Sequence, residues 1–366
     1  MLTPDEIKTI DKSSICNVYD KWPEYCKIAF DRNINIDEKF FDGVNSIVFA
    51  GMGGSGTTGD VLADWMRLKC NVPICVSKDY RMPAFVNQNT LFIAMSVSGG
   101  TEETLAALLE ASSINAKVVG ISQGGEMEEV CKKKKIPHVK IEQRILPRIT
   151  LPEVLYSALK LLTHSPFLND VQSQIDDSIR TMVDVGKNIC KESIVEENPA
   201  KQLAKWMFDS IPAAYCSPLQ RGVGIRFKNS VNENAKINAI AGEILDSCHN
   251  ELVSWGHKNK SPENVMLKPL LVRTKFDPEE VITRCDVFKE MLERNGYEVG
   301  EIPLYGSTPL ANIVSSLYLL DYSTIYLGIL KKIDPTPITA VFEFKDEMKK
   351  RSDYFAKFVK PKLDQV

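Results

Sequence analysis

The chain has 366 residues, 44% hydrophobic and 25% charged, and its 48 acidic and 45 basic side chains leave a net charge of −3. That length predicts two domains, the composition supplies ordinary packed cores, and the charge balance argues against a general nucleic-acid binder. No apolar stretch reads as long enough to span a bilayer, and Met1-Leu2-Thr3-Pro4-Asp5-Glu6 lacks the start of a signal peptide. Nine cysteines, odd in number and without a C-x-x-C pair, read as reduced thiols, which predicts a cytoplasmic protein.

A helical stretch from Pro4 to about Phe30 precedes the first apolar run. Alternation follows, with strands expected at 46–50, 73–77, 90–95, 117–121 and 137–141 and helices at 57–67, 101–111 and 125–135. Lys132-Lys133-Lys134-Lys135, the basic block, reads as a solvated helix end. A helix is expected from Pro152 to Leu162, broken at Pro166, with a connecting helix to about Cys190. Beyond it lie a helix from Pro199 to Phe208, a strand at Ile211–Cys216 and a helix from Arg221 or Gly222 to Ala241. Strands at Val265–Val272 and Glu298–Leu304 alternate with helices at Pro278–Arg294 and Leu310–Leu330, and a last helix begins near Pro337 and carries Lys345. Largely apolar strands alternating with helices predict two parallel sheets covered on both faces, in domains spanning 1–165 and 166–366.

Two turns carry chemistry. Gly51-Met52-Gly53-Gly54-Ser55-Gly56 and Ser96-Val97-Ser98-Gly99-Gly100-Thr101 each link an apolar strand to a helix. Orphan N–H groups at a helix start, approached closely across glycines, bind anions, and the hydroxyls at Ser96, Ser98 and Thr101 add donors for phosphate oxygens. The first turn also spells G-x-G-x-x-G, with Asp79 near the end of the next strand, so a nicotinamide-dependent enzyme competes. Simple tight turns relieved by glycine are the plainer alternative. Among the four histidines, His138, His164, His249 and His257, no H-E-x-x-H pair occurs, and no zinc site is expected. Glu233, in the polar run Asn232-Glu233-Asn234, and His249, in a polar turn, are candidates for proton transfer that serve equally as surface residues.

Nearly the whole chain resembles the bifunctional phosphoglucose/phosphomannose isomerases, built from two sugar-isomerase (SIS) domains. The similarity runs through G-M-G-G-S-G at Gly51–Gly56, S-x-S-G-x-T-E-E-T at Ser96–Thr104 and Pro147-Arg148. It continues through R-x-K-x-x-x-N-E-N-A-K at Arg226–Lys236, H-N-E at His249–Glu251, and Asp334-Pro335-Thr336-Pro337 followed by Lys345. The resemblance implies two doubly wound, flavodoxin-like parallel-sheet domains with flanking helices. It implies an aldose–ketose isomerase acting through a cis-enediolate, with neither metal nor cofactor.

On that resemblance Gly53, Gly54, Ser55, Ser96, Ser98 and Thr101 hold the 6-phosphate and Glu233 is the base. Arg148 stabilises the developing oxyanion, and His249 and Lys345 open the sugar ring. It further implies small-molecule sugar phosphates as partners and a homodimer sharing its active sites through His249, with no nucleic acid or membrane involved. A phosphosugar-binding module without catalysis remains the alternative. Val97 and Gly100 stand where the family has tyrosine and asparagine, which bears on substrate preference or affinity. Extra residues fall around 165–195 and after 255.

Overall fold

The computed structural model of the chain describes residues 2–142, 144–168, 171–256 and 266–364; His257 and Val265, the expected first residue of a strand, lie outside them. The described chain forms two units, Glu24–Val171 with Ile338–Val366, and Met1–Pro23 with Gln172–Pro337.

The first unit is built on five parallel strands, β1 (Ser46–Gly51), β2 (Ile74–Ser77), β3 (Thr90–Met95), β4 (Lys117–Ser122) and β5 (His138–Lys140), in the order β2-β1-β3-β4-β5. This is the doubly wound order, with its switch point between β1 and β3. Both central strands are buried along their whole length, as their uninterrupted apolar sequences require of strands covered on two faces. Gly51 lies opposite Met95 in the parallel ladder, so the turns that follow β1 and β3 leave the sheet at the same level.

Helix α1 (Gly53–Met66) begins four residues before the expected Thr57, because the N–H groups of Ser55 and Gly56 close on the Met52 carbonyl despite the poor helix propensity of glycine. Helices α2 (Glu102–Ser113), α3 (Gly125–Lys134) and α4 (Leu151–Leu162) complete the cover. Val359 packs into the same core as Phe92, Leu105 and Leu108, which ties the C-terminal segment to this unit.

The second unit repeats the plan with β6 (Ile211–Cys216), β7 (Ile240–Glu243), β8 (Leu267–Val272) and β9 (Gly300–Glu301), parallel in the order β7-β6-β8-β9. The helix expected to run to Ala241 is cut short. Helices α5 (Gln172–Ile189) and α6 (Arg221–Ser230) precede a π-helical turn at Val231–Ala235, and Lys236 then adopts φ +57°, freeing residues 240–243 to pair as β7. The strand expected at 298–304 is only two residues long, because Pro303 has no N–H to extend the ladder.

Helix α7 (Pro309–Leu330) runs through the core of the unit, buried from Leu310 to Leu330. By length and apolarity it is a bilayer-spanning candidate that the sequence reading passed over, but here it is a core helix buried within the protein. Trp22 and Tyr19 explain why the N-terminal residues join this unit: Trp22 stacks 5.5 Å from Tyr318 and Tyr19 packs 5.4 Å from Tyr322, all four fully buried. A single cut between 165 and 166 therefore does not describe the units, since the two chain ends exchange places. Helix α8 (Thr339–Arg351), with Lys345, belongs to the β1–β5 unit and not to the C-terminal domain as expected.

Within α7, Asp321 is fully buried and paired with Arg226 of α6 through Nε (2.9 and 3.0 Å) and Nη2 (2.6 Å). Ser230 and Tyr19 also donate to its carboxylate. Arg226→Met should strand that carboxylate and cost about 3–5 kcal/mol, whereas adding Asp321→Leu should recover most of the loss. Urea denaturation of the single and double variants measures both, and an unchanged midpoint for Arg226→Met would remove the pair from the fold's main supports.

Candidate functional site

In the first turn of α1, Ser55 and Gly56 spend their N–H groups on the Met52 carbonyl (3.1 and 3.2 Å), leaving those of Gly53 and Gly54 as the orphan donors of the turn. Ser55 is buried beside them. After β3, Gly99 holds φ +74° and passes so close to the Gly124 carbonyl that any side chain there would collide with it. The Gln123 N–H donates to Val97 O (3.0 Å) and the Met127 N–H to Gly99 O (2.9 Å), so the serine turn is laced to the turn after β4.

Ser96 is buried, accepts from the Gly99 N–H (3.1 Å) and shares a 2.8 Å hydrogen bond with Thr101. Ser98 is exposed and accepts from the Gly100 N–H (3.3 Å). The hydroxyls thus divide: Ser98 and Thr101 face outward enough to meet a ligand, while Ser96 braces the turn from inside. Val97 is buried and Gly100 exposed.

Asp79, the acidic partner that a dinucleotide would need, instead accepts from the Arg81 N–H (3.2 Å). The side chain that meets the glycine turn is that of Lys78.

Arg148 is buried on the 3-10 turn Pro147–Thr150. The turn is fixed at both ends. The Thr150 hydroxyl accepts from the Arg144 N–H (3.1 Å), and the fully buried Glu153 pairs with Arg144 and with Arg32 (3.1 Å). Lys345 is exposed on α8, a helix with no buried residue.

Glu233 stands half-buried on the π-turn that ends α6. Such bulges re-aim a side chain and concentrate at functional sites. Three residues on one stripe of α7 hold it. Asp321 anchors Arg226 and Ser230; Thr324 accepts from Asn234 Nδ2 (2.8 Å); and Gly328 lets α7 approach so closely that an added Cβ would lie 2.5 Å from the Asn234 carbonyl. Lys236 closes the far end by donating to Glu233 O and to Pro335 O (3.1 Å).

His249 is exposed on a short turn whose flanks are pinned. Glu251 accepts from the Tyr215 hydroxyl (2.6 Å) and from Ser247 (3.0 Å), and the Trp255 indole donates to the same Tyr215 oxygen (2.8 Å). Burial and the neighbouring Glu251 carboxylate push the Tyr215 phenol well above its ordinary pKa, so it remains a donor across the working pH range.

The β1–β5 unit therefore carries the glycine and serine turns, Arg148 and Lys345, and the β6–β9 unit carries Glu233 and His249. Sequence reasoning missed the supports: Tyr215, Asp321, Thr324 and Gly328. Of these only Asp321 left a signal, an acid within an otherwise apolar helix. Among the described residues, no group of three or more His, Cys, Asp or Glu side chains is placed to hold a metal ion.

Comparison with known proteins matches the bacterial phospho-glucose isomerase C-terminal SIS domain to residues 196–348 and the SIS domain to residues 41–143. The bifunctional phosphoglucose/phosphomannose isomerase of Caldicellulosiruptor bescii is 29% identical over 336 residues, covering 90% of this chain and 98% of that protein. The enzyme of the same name from Thermoplasma acidophilum is 30% identical over 321 residues, covering 87% and 93%. A D-glucosamine-6-phosphate 4-epimerase from Sulfolobus acidocaldarius is 29% identical over 244 residues, covering 64% and 71%. Among solved structures, a hypothetical protein from Thermus thermophilus superposes with TM-score 0.70 at 14% identity, covering 92% of this chain and 90% of that one. A glucose-6-phosphate isomerase-like protein from the same organism superposes with TM-score 0.59 at 17% identity, covering 91% and 96%; these two support the fold alone.

The contact at Gly328 makes a sharp expectation. Gly328→Ala should drive its methyl into the Asn234 carbonyl and destabilise the protein by about 1–3 kcal/mol. Gly186→Ala, whose methyl would meet Tyr318 at an ordinary 3.4 Å within α5, should be neutral or stabilising by up to about 1 kcal/mol. Equal denaturation midpoints for the two variants would show that α7 does not press on the π-turn.

Proposed function

The chain belongs to the bifunctional phosphoglucose/phosphomannose isomerase family and is an aldose–ketose isomerase of phosphosugars; from that premise we propose that it interconverts glucose 6-phosphate and mannose 6-phosphate with fructose 6-phosphate through a cis-enediolate, without metal or redox cofactor. The observation that carries this proposal is the pair of donor-rich turns leaving β1 and β3 at one level, on either side of the switch point where doubly wound sheets bind ligands. Gly53, Gly54, Ser55, Ser98 and Thr101 supply donors for the 6-phosphate, and Ser96 fixes the geometry of the second turn as well as belonging to it.

Glu233 moves the proton between C2 and C1. A carboxylate suits this role because its conjugate acid returns the same proton to the adjacent carbon. The buried Arg148 guanidinium is held before the reaction begins and stabilises charge on the enediolate oxygen with little reorganisation. His249 and Lys345 exchange protons with the ring oxygen and the anomeric hydroxyl to open the sugar. Glucose and mannose 6-phosphates differ only at C2, which becomes planar in the enediolate, so one intermediate serves both epimers. The nine cysteines form no disulfide, in accord with a reducing, cytoplasmic setting.

Fructose 6-phosphate formation should be measurable from either aldose phosphate with EDTA present and NAD absent. Glu233→Gln should lower kcat by at least about 10²-fold while leaving substrate binding close to the parent's, because it removes the base and keeps the shape. Full activity in Glu233→Gln would exclude Glu233 as the base. Loss with EDTA restored by zinc, or dependence on added NAD, would replace the proposed chemistry.

The active enzyme is a homodimer in which His249 completes the partner's site. Its support is placement. His249 is exposed, and Ile240, Leu245 and Val253, in the segment around it, are large apolar side chains left 36–76% exposed. Mixing inactive Glu233→Gln and His249→Ala subunits should restore activity on exchange, since each heterodimer has one intact site. Mixtures that exchange subunits yet remain inactive would place His249 in its own subunit's site.

A further inference from the structure

Neither anion-binding turn contains a basic residue, and both have acidic neighbours. Glu102 and Glu103 occupy the first turn of α2, directly after Thr101. The Glu126 carboxylate lies beside Gly100, with Oε2 2.9 Å from where a Cβ would project. Asp60 sits almost fully buried in the second turn of α1, one turn beyond the Gly53 and Gly54 donors. A carboxylate there is itself favoured by the helix N-terminus, but its charge offsets the positive potential that an arriving phosphate would meet.

Lys78 answers it. The residue follows β2 immediately, at the carboxyl ends of the strands from which both turns leave, and its ammonium is ion-paired with Asp60. Its Cε lies 3.1 Å from where a Cβ on Gly56 would project, and that Cβ would also meet the Gly51 carbonyl at 2.6 Å, so the glycine makes room for the lysine stem against the turn. The side chain is still 36% exposed, within reach of a ligand.

We infer that Lys78 is a further phosphate-selectivity residue of this enzyme, cancelling Asp60 so that the glycine turn presents net positive potential to a sugar-phosphate dianion. This rests on the proposal that the two turns hold the substrate's phosphate. A neutral hydroxyl-bearing sugar gains nothing from Lys78, whereas a phosphomonoester does.

The test uses the full-length enzyme and two probes, fructose 6-phosphate as substrate and inorganic phosphate as competitive inhibitor. Lys78→Met should raise KM and the inhibition constant together by about tenfold with kcat within about twofold, as expected for losing one charged partner of an anion. Lys78→Arg should stay within about threefold of the parent, because the charge is kept. Adding Asp60→Asn to Lys78→Met should bring both constants back to within about threefold, since the carboxylate that needed cancelling is gone. Thermal unfolding of each variant identifies any loss due to misfolding, and Lys78→Gln, which removes the charge but keeps a polar end, then carries the same tenfold expectation.

Constants within twofold of the parent for Lys78→Met, while Ser98→Ala/Thr101→Ala raises both, would overturn the role of Lys78 alone. Constants unmoved by Ser98→Ala/Thr101→Ala would overturn the phosphate-site proposal itself. A Lys78→Met/Asp60→Asn enzyme as weak as Lys78→Met would overturn the neutralising role.

Discussion

The buried pair between Arg226 and Asp321 sets the terms for the second unit. A carboxylate inside an apolar core helix is tolerable only when its lone pairs are filled, and here one guanidinium, one serine hydroxyl and one tyrosine hydroxyl fill them. That requirement fixes α6 against α7 in rotation and translation, because Arg226 and Ser230 are one turn apart and both must reach the same carboxylate. The helix cannot then continue regularly. One turn further on, Asn234 must meet Thr324 and the backbone must pass over Gly328, and the resulting π-turn turns Glu233 out of the helical register. An acid, a hydroxyl and a glycine at i, i+3 and i+7 on an apolar helix thus place the proposed base.

The two units share a strand order but differ in how their strands end. After β1 and β3 the chain supplies small residues and hydroxyls, the composition that suits an anion at a helix start. After β6 the chain runs through Ser217-Pro218-Leu219-Gln220 into α6 without a glycine turn, and Gln220 is committed to Asn312 (3.0 Å). In this unit the proposed proton-transfer residues stand instead on a helix terminus, Glu233, and on a turn whose flanks are pinned, His249. On the proposed function, one architecture thereby supports anion binding in one unit and proton transfer in the other.

The parts of the fold legible in the sequence were those governed by local pattern. Strands β1 and β3 announce themselves as unbroken apolar runs, and the glycine and serine turns by composition. What escaped was decided by tertiary contact. β7, written Ile-Ala-Gly-Glu, is too short and too polar to stand out from the end of a helix, and it becomes a strand only because Lys236 takes a left-handed conformation and β6 offers an edge. The exchange of chain ends follows from Trp22 and Tyr19 finding Tyr318 and Tyr322, and Val359 finding the core of the first sheet, partners that sequence separation hides. The site residues were named by family resemblance, while the hydrogen bonds that hold them were not, because Thr324 and Gly328 read as ordinary members of a core helix.

The two departures in the serine turn act by different physics. Val97 is buried, and its carbonyl accepts from the Gln123 N–H, so a smaller side chain there alters packing beneath the turn while the backbone lacing persists. Gly100 is exposed beside the Glu126 carboxylate, so the absence of an amide side chain leaves a negative charge next to the turn rather than a neutral donor. The first change affects how firmly the hydroxyls are presented; the second affects the charge an incoming phosphate meets. A turn lined by neutral donors and flanked by carboxylates offers a phosphate little positive charge of its own, which is why the proposed selectivity rests on Lys78 neutralising Asp60.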